Sequence, residues 1–285
     1  MPISINELLR LNVFDCGIEN VKEYTLLSTR PDLVVKGLHD LHMRRQVPIF
    51  STLEQDYKDE WVHEDFDYKF SELGFRDTDL PAQIDLAAFG CSYTFGLGLP
   101  EHTTWHKVLA KHNNISAYNF GQPGASIKSI TDMFHIVSNH VKIERAIFLL
   151  PTYIRFLIAG QRVDRVKLFS FLPQSKLTDD NLYGVNPDLF YKHIPDIEFI
   201  RKMKDDVYAI EHIAKHKNIK LFISSWDRPT YDLLKIMDFK YAKLIEEWTC
   251  PKDPSTQKDL ARDKLHPGMS HHKYWAEEIQ HQVFT

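Results

Sequence analysis

From residue 84 onward, hydrophobic residues switch repeatedly between two spacings. Short, largely apolar runs occur at Ile84–Phe89, Ala117–Phe120, Ala146–Leu150 and Leu221–Ser225. Runs of this length suit strands buried on both faces of a parallel sheet. Between them, apolar residues recur at helical spacing. Thr104–His112 is one predicted helix, and Ser126–Lys142 is a second, with Ile127, Ile130, Met133, Phe134 and Val137 on one stripe. Asp196–His216 is a third, with Ile200, Met203, Val207, Ile210 and Ile213 in line, and Ser270–Val283 closes the chain. Thr103 or Thr104, and Ser270, stand as N-caps. Strands alternating with helices predict an α/β fold whose parallel sheet is covered on both faces.

Two zones break this rhythm. Residues 1–80 read as an N-terminal extension to the 81–285 domain, with a short helix expected at Ile5–Leu11 and an acidic, aromatic stretch without a period at 50–80. Residues 157–196 read as an irregular, proline-containing insertion capping the core. The extension serves either as a packing arm or as a lid over a cleft.

Open parallel sheets bind ligands beyond the carboxyl ends of their strands. Ser92, Gly124, the Thr152-Tyr153-Ile154-Arg155 segment and Trp226-Asp227 all follow predicted strands directly, so they converge on one sheet edge. Ser92 lies on a small-residue turn, Gly90-Cys-Ser-Tyr-Thr94. A serine hydroxyl is almost un-ionised at neutral pH and needs an adjacent base to attack a carbonyl. Asp263-Lys-Leu-His266-Pro267, just before the last helix, supplies an imidazole and a carboxylate to orient it.

This order resembles the SGNH (GDSL-type) hydrolase family over roughly residues 84–283. Gly90-Cys91-Ser92 stands where Gly-Asp-Ser is usual, Asn119-Phe-Gly-Gln-Pro-Gly124 resembles the glycine block, and Asp263-x-x-His266-Pro267 matches the last block. Trp105 stands where the family often has an aromatic residue. Lys69-Phe-Ser-Glu-Leu-Gly-Phe-Arg76 resembles a Gly-Phe-Arg segment found upstream of the serine in relatives. The resemblance implies a three-layer α/β/α sandwich with a flavodoxin-like parallel sheet. It implies Ser92 as nucleophile, His266 as general base, Asp263 as its orienting acid, and the backbone N–H groups of Ser92 and Gly124 as oxyanion donors. One block departs. Pro151-Thr-Tyr-Ile-Arg155 follows the third strand where Gly-x-Asn-Asp is expected, so a side-chain donor is missing. Losing one such donor costs about 10²–10³ in rate. Thr152, Tyr153 or Arg155 is the replacement donor or a substrate contact, and Trp226 and Asp227 are candidate pocket lining.

The composition narrows the partners. Net charge is −4 with Lys and Arg scattered, which leaves no electrostatic footprint for nucleic acid. Cys16, Cys91 and Cys250 are too few and too widely spaced for a disulfide framework or a CxxC metal site. Cys91 reads as a small buried hydrophobe. Gly90, Gly96 and Gly98 lack the remainder of a phosphate loop, and His266, His271 and His272 lack metal-ligand spacing. The resemblance implies no metal or organic cofactor. The longest apolar stretch, 146–160, contains Pro151 and Arg155 and is shorter than the ~20 residues of a bilayer span. With no signal-peptide pattern at Met1–Arg10, the expected location is cytoplasmic, or outside by a signal-independent route.

The leading expectation is a serine esterase that hydrolyses a carboxylic ester, an O-acyl group on a carbohydrate or a short-chain lipid ester, through an acyl-enzyme. Two other readings use the same scaffold. One is a catalytically silent module that binds a glycan or serves as a structural component, and the other is an O-acyltransferase in which a sugar hydroxyl replaces water.

Overall fold

Four of the predicted strands and a two-residue fifth build a single parallel sheet. The computed structural model describes residues 35–36, 67–68, 75–77, 80–162, 165–171, 195–248, 260–261 and 266–285, with 35–36, 67–68, 156–162 and 165–171 described as backbone. The sheet strands are β1 (Gln83–Gly90), β2 (Ala117–Gly121), β3 (Lys142–Leu150), β6 (Lys220–Ser225) and β7 (Lys243–Leu244). Their order is β2-β1-β3-β6-β7, and every neighbouring pair is parallel. Among the described residues no helix is long and apolar enough to cross a membrane.

Strand alternation sends successive side chains to opposite faces. Ala87, Phe89, Phe148 and Leu150 enter one apolar cluster with α3 (Ile127–His140) and α4 (Asp196–Lys217). Leu86, Ala88, Ile147 and Leu149 enter a second with α2 (Trp105–Asn113) and α6 (Met269–Phe284). Helices therefore cover both faces, which is the predicted three-layer sandwich. In the first cluster the register places Phe120, Phe89 and Phe148 side by side on β2, β1 and β3. Their rings stack at 4.8 Å and 10°, close to the interstrand spacing, and Phe134 of α3 packs edge-on against Phe89 and Phe148.

Several sequence expectations shift. The buried face of α4 runs Phe199, Met203, Val207, Ile210 and Ala214, a line that keeps a 3.6-residue period, while Ile200 and Ile213 fall at its margins. Ser126 caps α3 through a reciprocal capping box with Ser129. Thr104 is the N-cap of α2, but its hydroxyl donates to Glu101 O at 2.7 Å rather than accepting from the helix. The N-cap of α6 is Gly268, and Ser270 lies inside the first turn. The segment expected to be irregular begins as an antiparallel hairpin, β4 (Phe156–Arg162) with β5 (Arg165–Phe171). Its β-branched and aromatic residues carry strand propensity that the neighbouring polar and proline-containing stretch obscured. Residues 172–194 and the Ile5–Leu11 helix lie outside the described residues, as does most of 1–80 apart from the antiparallel pair Val35–Lys36 with Asp67–Tyr68 and the Phe75–Asp77 segment.

His106 and His272 are two of the buried histidines in the helical layer on the second cluster's side. His272 of α6 accepts the Trp105 backbone N–H at its Nδ1, 3.0 Å away, so that nitrogen carries no proton. Burial, then the neighbouring His271, Arg76 and His266, hold its pKa down from 6.5 to about 3. His106 is also buried, and burial followed by Lys107, His272 and Arg76 holds it well below 6.5. An unfolded chain takes up these protons below about pH 6.5, and the folded chain refuses them until near pH 3 for His272. Stability is therefore full above that upper value and falls as pH drops through the window. Asp206 opposes this. Burial lifts its carboxyl from 3.8 to about 6, so the folded form holds an extra proton between those values. Urea midpoints measured from pH 8 to pH 4 should fall on the acid side, and Asp206→Asn should steepen the fall. A flat profile between pH 7 and pH 4.5 would contradict the buried neutral histidines.

Candidate active site

Every strand of the first three leaves the sheet at the same edge. β1 ends at Gly90, and the chain passes through Cys91 into the single-turn α1 (Ser92–Phe95). That turn packs directly on the ends of β1 and β2. A Cβ at Gly90 would lie 2.2 Å from Thr94 Oγ1, and one at Gly121 would lie 2.2 Å from the Phe95 nitrogen. Glycine at both strand ends is thus a steric requirement for seating the serine turn. After α1, Gly96 and Gly98 take left-handed backbone, φ 74° and 78°.

The Phe75-Arg76-Asp77 segment locks this turn from the other side. Arg76 is fully buried. Its Nη1 donates to Phe95 O at 2.9 Å and to Gly96 O, and its Nη2 donates to Leu99 O. Asp77 accepts from Lys107 Nζ at 2.8 Å and from the Asn119 backbone N–H at 3.0 Å. Asn119 in turn accepts the Gly121 N–H at Oδ1, 2.8 Å, and donates to Phe95 O at 3.3 Å. One hydrogen-bonded set therefore joins the upstream segment, the serine turn and the end of β2. For these three residues a packing role is what the contacts describe.

Ser92 is 7% exposed, and its hydroxyl donates to Cys91 Sγ at a long 3.9 Å. The Cys91 thiol is buried in the core and also receives Trp226 Nε1–H at 3.1 Å. Trp226 stacks on Tyr93 at 4.7 Å and 7°. Edge-on against the same Tyr93 ring stand Trp248 at 5.9 Å and His266 at 5.7 Å. The residue next to Ser92 is therefore in contact with His266. His266 is held by a bridge between Leu260 and Pro267, with the Ala261 N–H donating to His266 O at 2.8 Å. Asp263, between them in sequence, lies outside the described residues.

Gly124 has φ 77° in the turn after β2, where the Ala125 N–H donates to Gln122 O at 3.1 Å. Thr152 is buried, and its carbonyl accepts the Arg155 N–H at 3.2 Å. The Tyr153 backbone N–H donates to Thr230 Oγ1 at 2.8 Å, and burial, then Asp196 and Asp227, raise the Tyr153 phenol above its usual pKa of 10. Arg155 Nη1 donates to Ala125 O at 3.1 Å, and its guanidinium lies over Trp226 at 5.6 Å. Asp227 caps α5 (Arg228–Lys235), a helix absent from the sequence reading, by accepting from Thr230 N–H at 3.0 Å and Thr230 Oγ1 at 2.6 Å. Its carboxylate is thus engaged in a helix cap. Trp105 is a core residue, edge-on to Trp275 at 4.9 Å. Among the described residues no group of three or more His, Cys, Asp and Glu is arranged to hold a metal.

Sequence reasoning missed Tyr93, Trp248, Asp77 and Gln122. Tyr93 and Trp248 are single aromatics outside any periodic stretch, and their value comes from where distant loops meet. Gln122 was quoted only as a spacer within the glycine block.

The chain matches no protein-family model and no curated protein. Among solved structures it is similar to a protein from Desulfitobacterium hafniense DCB-2 assigned to the lipolytic G-D-S-L family, at 14% identity and TM-score 0.43, covering 70% of this chain and 99% of that one. It is similar to the psychrotrophic esterase EstA from Pseudoalteromonas sp. at 12% identity and TM-score 0.45, covering 71% and 96%. It is also similar to AlinE4, an SGNH-hydrolase family esterase, at 16% identity and TM-score 0.38, covering 72% and 97%.

Proposed function

We propose that the chain is a serine esterase that cleaves a carboxylic ester at Ser92. The observation that carries this reading is the edge-on contact of His266 with Tyr93, the residue following Ser92. It sets an imidazole from the far end of the chain against the neighbour of Ser92, which supports pairing the two in the reaction.

In this mechanism His266 takes the Ser92 proton as the oxygen attacks the ester carbonyl. The resulting oxyanion is met by the backbone N–H groups of Ser92 and Gly124. Collapse breaks the C–O bond, His266 returns its proton to the departing alkoxide, and an acyl-serine remains. Water then repeats the sequence and releases the acid. Asp263 accepts the second imidazole N–H and keeps the tautomer productive. The long Ser92–Cys91 contact fits a resting state, since catalytic hydrogen bonds often form only with substrate bound. A sugar hydroxyl arriving in place of water would give acyl transfer from the same intermediate.

The test is covalent labelling. A fluorophosphonate probe should modify Ser92 at neutral pH, with peptide mapping placing the adduct there. No labelling of a folded protein would favour a silent binding module instead.

A further inference from the structure

Arg155 and Gln122 lie near the serine turn with polar groups that the described residues do not satisfy. Arg155 is half-buried. Among the described residues its guanidinium makes one hydrogen bond, to the Ala125 carbonyl, and its Nε is enclosed without a partner there. No carboxylate among those residues lies within ion-pair distance of it. Gln122 is 5% exposed, and both of its amide atoms lack a hydrogen-bond partner there. Buried amides and charges are costly when unpaired, and native proteins rarely tolerate them without a ligand or a functional reason.

The two residues belong to one place. The Gln122 carbonyl accepts the Ala125 N–H, and the Ala125 carbonyl accepts Arg155, so both flank the turn containing Gly124. The register pairs Gly121 with Gly90, and the Gln122 N–H donates to Gly90 O at 2.9 Å, which sets Gln122 next to Cys91. Trp226 links the other side. It lies under the Arg155 guanidinium, stacks on Tyr93 and donates to Cys91.

Resting on the esterase reading, we infer that Arg155 and Gln122 form a carboxylate-binding subsite, and that the preferred substrate is an ester whose acyl arm ends in a carboxylate. A guanidinium fork recognises a carboxylate through paired charge-assisted hydrogen bonds, and a primary amide adds a further donor. A monoanion cancels one arginine charge, whereas a phosphate dianion would leave an excess negative charge in a partly enclosed site. Attachment of Arg155 to the residue after Gly124 puts the subsite beside the turn expected to supply the second oxyanion donor.

The experiment compares 4-nitrophenyl acetate with 4-nitrophenyl hydrogen succinate. The wild-type chain should favour the succinyl ester in kcat/KM. Arg155→Gln should lower the succinyl-to-acetyl ratio by about 10- to 100-fold, chiefly through KM, and Arg155→Lys should restore part of it. A structural role at the Ala125 carbonyl would slow both esters together and keep the ratio, which overturns the subsite while leaving the esterase intact. A second arm is independent of turnover. Monomethyl succinate should bind Ser92→Ala in an NMR titration and lose binding in Ser92→Ala/Arg155→Gln. If neither ester is hydrolysed, the esterase reading fails, and this arm alone decides. Arginine-dependent binding upholds the subsite, and no binding removes it.

Discussion

His266→Ala should reduce kcat on a short-chain aryl ester by about 10⁶-fold, with the folded structure preserved. The size follows from the unit behaviour of a nucleophile and its base, where removing either member loses nearly the whole catalytic advantage. The fold should survive because His266 is only partly buried, and its backbone carbonyl, which an alanine retains, makes the Ala261 bond. What remains should be the contribution of the oxyanion donors and binding, about 10³–10⁴ over water. Stopped assays with purified variant, alongside circular dichroism, check both halves. Undiminished hydrolysis would remove His266 from the mechanism. Loss of the far-ultraviolet signal would mean the loop bridge needs the ring itself.

The second large effect concerns stability. Arg76→Met should cost about 3–5 kcal/mol, since three backbone carbonyls around the serine turn lose a charged donor and hydrogen bonds to charged groups contribute about 1.5–3 kcal/mol each. Methionine keeps most of the side-chain volume, so the loss reports the hydrogen bonds rather than a cavity. The same substitution should lower turnover, because Phe95, Gly96 and Leu99 belong to the turn that begins at Ser92. Denaturant titration gives the first quantity, and the fraction of Ser92 labelled per minute under folding conditions gives the second. A midpoint within experimental scatter of wild type would mean that Arg76 is replaceable by solvent.

Much of the scaffold was readable from residue pattern. The runs at Ile84, Ala117, Ala146 and Leu221 have the length and apolar character that suit buried parallel strands, and the stripe from Ile127 to Val137 marks the buried face of its helix. The two-residue strand at Lys243–Leu244 left no such trace. It pairs with β6 by position, and the loop before it is seated by Glu211, whose Oε1 accepts three successive backbone N–H groups from Lys240, Tyr241 and Ala242. A lone glutamate on a helix gives no sequence hint of that role. The α5 helix was hidden for a related reason. Its start depends on a cap at Asp227 that reads equally well as a pocket acid.

The candidate site divides similarly. Ser92 and His266 were legible as candidates because the proposed nucleophile and base occupy short blocks with distinctive neighbours. The aromatic set of Tyr93, Trp226 and Trp248 was not, because it forms from three loops far apart in the chain. The role of Arg76 lay in the same category: its donors meet carbonyls some twenty positions away, and carbonyls carry no sequence signature.

The three stacked phenylalanines have a consequence for how the chain exits the sheet. One ring per strand, at matched height, makes the pairing self-indexing. Sliding any of these strands by a single residue would swing its ring to the opposite layer and put in its place Ala88 or Gly90, Asn119 or Gly121, or Ile147 or Leu149. The aromatic column thus works as a gauge that fixes where Cys91, Gln122 and Pro151 emerge, and it aligns the loops that follow before any substrate arrives.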